Sequence, residues 1–96
     1  MVVQSGLHRD KMVVVDLICL YVISTHFGTH YTGITNNLIR RWKEHSTGKS
    51  SYLSKFKAKE VIHVEFFESR GGAARKERAI KKVGAKNYLL RLKYRL

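Results

Sequence analysis

Across residues 13–23 both alternating sets of positions are apolar, with Leu17, Cys19, Tyr21 and Ile23 on one side and Ile18, Leu20 and Val22 on the other. A strand of that composition is covered on both faces, so the pattern predicts the central strand of a sheet. Residues 24–29 contain Gly28 and turn the chain, and residues 30–35 return it as a second strand. Tyr21 and Tyr31 are ten residues apart, an even number, so a hairpin with an odd-length loop puts both phenols on one face. Gly33 leaves its own face open for a ligand or a helix to approach the backbone.

The pattern then changes period. With Asn36 as its cap, the stretch 37–46 reads as a helix. Taking Leu38 as reference and roughly 100° per residue, Leu38, Ile39 and Trp42 form the buried stripe and Arg40, Lys43 and Glu44 face water. Arg41 and His45, at i and i+4, stack along one edge of that stripe. Residues 47–59 form a Ser- and Lys-rich loop with Tyr52 and Phe56. Such a loop either lays its cations on a phosphate backbone and a ring on a base, or is a plain surface loop anchored by two aromatics.

Residues 61–67 alternate as a third strand, and Ser69 caps a helix running to Val83, with Gly84 as its stop. Ala73, Ile80 and Val83 mark its inner face and Arg75, Arg78 and Lys82 its outer one. Glu77 falls on the inner side, and a carboxylate there calls for a cation, either an arginine or a metal. Residues 86–96 interleave Tyr88, Leu89, Leu92 and Leu96 with basic residues, as expected of a short amphipathic helix over the sheet. The predicted class is α+β: a three-stranded antiparallel sheet flanked by helices in the order β-β-α-β-α-α. Residues 1–11 read as a flexible leader and 12–96 as one domain.

Charge sharpens this outline. The chain of 96 residues has a formal charge of +12. Residues 1–39 hold two basic and two acidic side chains, and residues 40–96 hold seventeen and five. A small domain with its whole excess of charge in one part is expected to attract polyanions, nucleic acid above all. Arg40 and Lys43 on the helix and Lys49, Lys55 and Lys57 in the loop are the candidate phosphate contacts. Cys19 is the only cysteine, which excludes an internal disulfide and fits a reducing, cytoplasmic setting. The apolar run near the start is interrupted by Asp16 and is far too short to span a bilayer.

Leu20-Tyr21-Val22, then Tyr31-Thr32-Gly33, then residues 37–42 with His45 and a later Glu77 resemble the GIY-YIG endonuclease superfamily, in particular its small stand-alone bacterial members. The likeness covers about residues 17–82. It rests on the order and spacing of Tyr, Tyr-x-Gly, Arg and Glu. The two name-giving motifs are half kept: Cys19-Leu20-Tyr21 stands for Gly-Ile-Tyr, and Thr32 takes the middle of Tyr-Ile-Gly. The resemblance implies a metal-dependent endonuclease. In that reading Glu77 holds a single Mg²⁺ or Mn²⁺, and Arg41 clamps the phosphate. One of Tyr21 and Tyr31 acts as general base while the other positions the water, and His45 orients or relays a proton. Gly33 and Asn87 are possible supports.

Each of these residues has a plain reading too. A strand tyrosine is usually core, an arginine or histidine on a basic helix usually faces solvent, and Glu77 four residues before Lys81 is usually a surface ion pair. Together, at family spacing, they favour a DNA endonuclease of low sequence specificity, with structure-specific cutting in repair or recombination and a partner protein supplying specificity. The alternative is a non-catalytic module of the same fold binding DNA or RNA through its basic surface. A scaffold or dimerisation domain is a third reading, prompted by the apolar first part. The sequence leaves the oligomeric state open.

Overall fold

The computed structural model describes residues 2–4, 12–14, 16–47 and 56–94, with side chains from residue 16 onward. Its elements are β1 (Val2–Gln4), β2 (Met12–Val14), β3 (Ile18–Thr25), β4 (His30–Thr35), α1 (Leu38–Ser46), β5 (Ala58–Phe67), α2 (Arg70–Val83) and α3 (Ala85–Lys93). The main sheet has the order β4-β3-β5, antiparallel throughout. The strand with both faces apolar is thus the middle one, as its pattern requires. That strand starts at Ile18 rather than Val13. Met12–Val14 instead pairs antiparallel with Val2–Gln4 in a separate two-stranded ribbon, so part of the stretch read as a leader is paired backbone.

Pairing Ser24 with His30 closes the β3–β4 hairpin over a loop with an odd number of residues. Tyr21 therefore sits opposite Gly33 and Tyr31 opposite Ile23, and both phenols occupy one face. On that face Cys19, Tyr21 and Ile23 form the core with Tyr31, Leu38, Trp42, Ala58, Val61 and Val64. Residue 57 takes a positive φ of 60° just before β5, and two register shifts against β3 bend this long strand. In α2 the cap and stop lie where the sequence puts them: Ser69 accepts from the Gly72 N–H, and Gly84 ends the helix at φ 90°. Ala73 and Ile80 are buried outright, and Val83 is half-buried.

Two details of α1 differ from expectation. Asn37, not Asn36, is its cap: Asn37 is extended and its side chain accepts from the Arg40 N–H. Asn36 accepts instead from the Arg40 guanidinium. Ile39 is 73% exposed, whereas His45 is 3% exposed. The buried side of α1 is therefore turned away from Ile39 towards Leu38, Trp42 and His45. The sheet face beneath presents a phenol, and an imidazole satisfies that group better than a sec-butyl chain does.

Candidate active site

The site is built on the hairpin. Tyr21 is 1% exposed, and its Oη lies 2.8 Å from Nε2 of His45. Gly33 makes this possible. A Cβ at residue 33 would stand 2.5 Å from the Tyr21 Oη and 2.7 Å from its Cζ. The opening expected there for a ligand or a helix is taken by the phenol of the strand opposite. Tyr31 completes an aromatic triangle, its ring centre 6.2 Å from that of Tyr21 and 5.0 Å from that of His45.

Arg41 lies one turn before His45 on α1. Its Nη1 is 3.7 Å from Glu44 Oε1, and about 40% of the side chain is exposed. Its Nε is nevertheless buried, and it makes no hydrogen bond among the described residues; the same is true of His45 Nδ1. Two polar nitrogens without partners at one site are an anomaly in a folded protein. The exposed part of the Arg41 guanidinium remains open to a phosphate oxygen, the acceptor it suits best.

The electrostatics follow from burial. Desolvation pushes the Tyr21 phenol well above its ordinary value, the neighbouring Tyr31 and the Glu77 carboxylate add to the rise, and the Arg41 guanidinium opposes it. Burial, and then Arg41, hold His45 below its ordinary 6.5, against a smaller pull from Glu44. At neutral pH the pair is thus a protonated phenol and a neutral imidazole.

Glu77 is itself 20% exposed in its side chain and lies 3.4 Å from Lys81 Nζ. The surface-pair reading is therefore realised, on a carboxylate that also acts on Tyr21. Among the described residues no group of three His, Cys, Asp or Glu comes together. A lone carboxylate is a poor donor set for zinc and a familiar one for Mg²⁺, which keeps most of its waters.

The remaining candidates divide. Arg40 and Lys43 are exposed on the outer side of α1, and Lys57 is exposed beside β5. Lys49 and Lys55, with Tyr52, lie outside the described residues. Asn87 is exposed and donates to the Val83 carbonyl at 3.0 Å, which supports the α2–α3 junction. No contact with the tyrosines is among its described bonds.

A second polar cluster was not anticipated. His63 Nε2 lies 2.8 Å from Glu65 Oε2, and the Tyr88 hydroxyl donates to the same oxygen. Lys76 Nζ stands 4.9 Å from the centre of the Tyr88 ring. His63 and Glu65 pair with Val22 and Leu20, on the face of β3 opposite to Tyr21. Its signal was present in the sequence: two polar residues at i and i+2 on a strand that has to bury that side.

Residues 17–89 match the family model of the GIY-YIG catalytic domain. The chain is 38% identical over 68 residues to a UPF0213 protein of Listeria monocytogenes serotype 4b, covering 70% of this chain and 76% of that one. It is 36% identical over 63 residues to a UPF0213 protein of Natronomonas pharaonis, covering 65% and 74%. The solution NMR structure of the UPF0213 protein BH0048 from Bacillus halodurans is similar at 28% identity and a TM-score of 0.49, over 80% of this chain and 85% of that one. Spanning the hairpin, α1, β5, α2 and the start of α3, the match covers every residue gathered around Tyr21, and the chain belongs to the GIY-YIG catalytic domain family.

Proposed function

We propose that the protein is a metal-dependent endonuclease that hydrolyses DNA phosphodiester bonds. The observation that carries this reading is the buried Tyr21–His45 hydrogen bond, with Tyr31 beside the same phenol and the charges of Arg41 and Glu77 acting on it. A phenol whose ionisation is suppressed is a poor base on its own. It serves better as a relay. Tyr21 Oη takes a proton from the attacking water while passing its own to the neutral Nε2 of His45, which becomes imidazolium; the hydroxide adds to phosphorus as the leaving oxygen departs. Tyr31 positions the water. Arg41, whose side chain is about 40% exposed, neutralises the phosphate oxygens as charge builds on them.

Glu77 would hold Mg²⁺ or Mn²⁺ once released from Lys81. A cation bound there supplies Lewis-acid stabilisation and an acidified water. The exposed cations on α1 and before β5 suit phosphate contacts, which position a duplex without reading it. Sequence preference is therefore weak, and branched or distorted DNA met in repair or recombination is the substrate class of choice.

The test is incubation of purified protein with supercoiled plasmid and with a branched duplex, in Mg²⁺, in Mn²⁺ and in chelator, beside Arg41→Ala. Nicking that requires the metal and falls by at least ~100-fold in Arg41→Ala supports the reading. Salt-sensitive binding with no cleavage of either DNA would assign the fold to binding alone.

A further inference from the structure

A cavity of about 550 Å³ opens beside β4, an edge strand of the sheet. Its walls include Thr29, Tyr31, Thr32, Lys81, Ala85 and Lys86, and no carboxylate lines it. Resting on the reading of DNA as the substrate, we propose that this cavity is a second backbone subsite. It holds the phosphate next to the one bound at Arg41, with Lys81 and Lys86 as its cations.

Three features argue for it. The first is continuity: Tyr31 faces His45 across 5.0 Å and also lines the cavity. A strand with its scissile phosphate at Arg41 is thereby led past Tyr31 towards the two lysines. The second is chemistry. Two lysines line the space beside two threonines and a tyrosine, and the one nearby carboxylate, Glu77, is paired with Lys81 and is not part of the lining, which suits a backbone phosphate. The volume lies within the roughly 300–1,000 Å³ of small-molecule sites, room for a nucleotide unit rather than a lone ion. The third is Lys81, which lines the cavity while lying 3.4 Å from Glu77. A phosphate that engages Lys81 frees the carboxylate, so filling this subsite prepares the neighbouring one.

The experiment measures binding of a short labelled DNA duplex in chelator across a salt series, so that it does not depend on cutting. The variants are Lys86→Gln, Lys81→Gln and Ala85→Glu, with Lys93→Gln as control, since Lys93 lies at the other end of α3 beside Tyr94. Lys86→Gln and Lys81→Gln are each expected to flatten the log–log salt slope by about 1, the loss of one phosphate contact. Lys93→Gln should leave the slope unchanged. Ala85→Glu should weaken binding about tenfold or more by like-charge repulsion, while its melting temperature holds or rises because an acid in the first turn favours the helix. Slopes equal to that of Lys93→Gln, together with unweakened binding by Ala85→Glu, overturn the subsite, as does a wild-type protein without salt-dependent DNA binding. Binding with these slopes but no nicking in Mg²⁺ overturns the catalytic reading and leaves the subsite standing.

Discussion

Gly33 and Tyr21 are the residues on which the site turns. The phenol is buried and bonded to His45, so it has nowhere to go when a Cβ appears 2.5 Å from its oxygen. Gly33→Ala is expected to cost about 1–3 kcal/mol by overpacking, read as a lower midpoint in urea unfolding. Unchanged stability would mean that the ring moves aside freely. Tyr21→Phe keeps the packing and removes the relay oxygen. Its nicking rate should fall about 10²–10⁴-fold, the range of general acid–base effects, while its near-ultraviolet circular dichroism stays folded. His45 adds a pH signature. Its pKa is held below 6.5, so the neutral acceptor is present at neutral pH and is lost only as pH falls through that depressed value. The acid limb of the rate profile should lie below the ordinary histidine range and vanish in Tyr21→Phe. The same group affects stability: it contributes fully above 6.5, and that contribution declines as pH falls from there through the folded-state value.

Among the elements, α3 has no fully buried residue, and the polar cluster ties it to β5 through the Tyr88 hydroxyl on Glu65. Burial works against the Glu65 carboxylate, but the hydrogen bonds from Tyr88 and His63 and the charge of Lys76 prevail and hold its pKa below the ordinary 4.5. The stability this provides is complete above that value and is lost as pH falls through the depressed one. Tyr88→Phe should lower stability by about 1.5–3 kcal/mol, as for a hydrogen bond to a charged group, and flatten the dependence of the urea midpoint on pH below about 4.5. A variant that keeps the wild-type pH dependence would show that the cluster does not anchor the helix. Elements were legible in proportion to how local their cause is. The helix from Ser69 to Gly84 is set by a cap and a glycine, and the shared face of Tyr21 and Tyr31 by parity alone. The facing of α1 was not, because Ile39 outranks His45 on any hydrophobic scale; only the phenol beneath, contributed by another element, explains why the imidazole is inside.

For the molecule as a whole, the sequence places the excess charge after residue 39, and the fold brings part of it around one hairpin: Arg41 on α1, and Lys81 and Lys86 at the α2–α3 junction. Spacing singled out the five candidate residues, whereas the cavity was not legible, since it exists only where the end of α2 runs beside the edge strand. Among the described residues no helix is long and apolar enough to cross a membrane. The account joins these parts through one carboxylate, which acts on Tyr21, pairs with Lys81 and is assigned the metal. The most direct measurement is therefore the initial rate of plasmid nicking as Mg²⁺ is raised, for the wild type and for Glu77→Gln, which keeps the shape and removes the charge. The prediction is a saturable rise for the wild type and a rate lower by at least ~100-fold for Glu77→Gln at every Mg²⁺ concentration. Two superimposed curves would contradict the account.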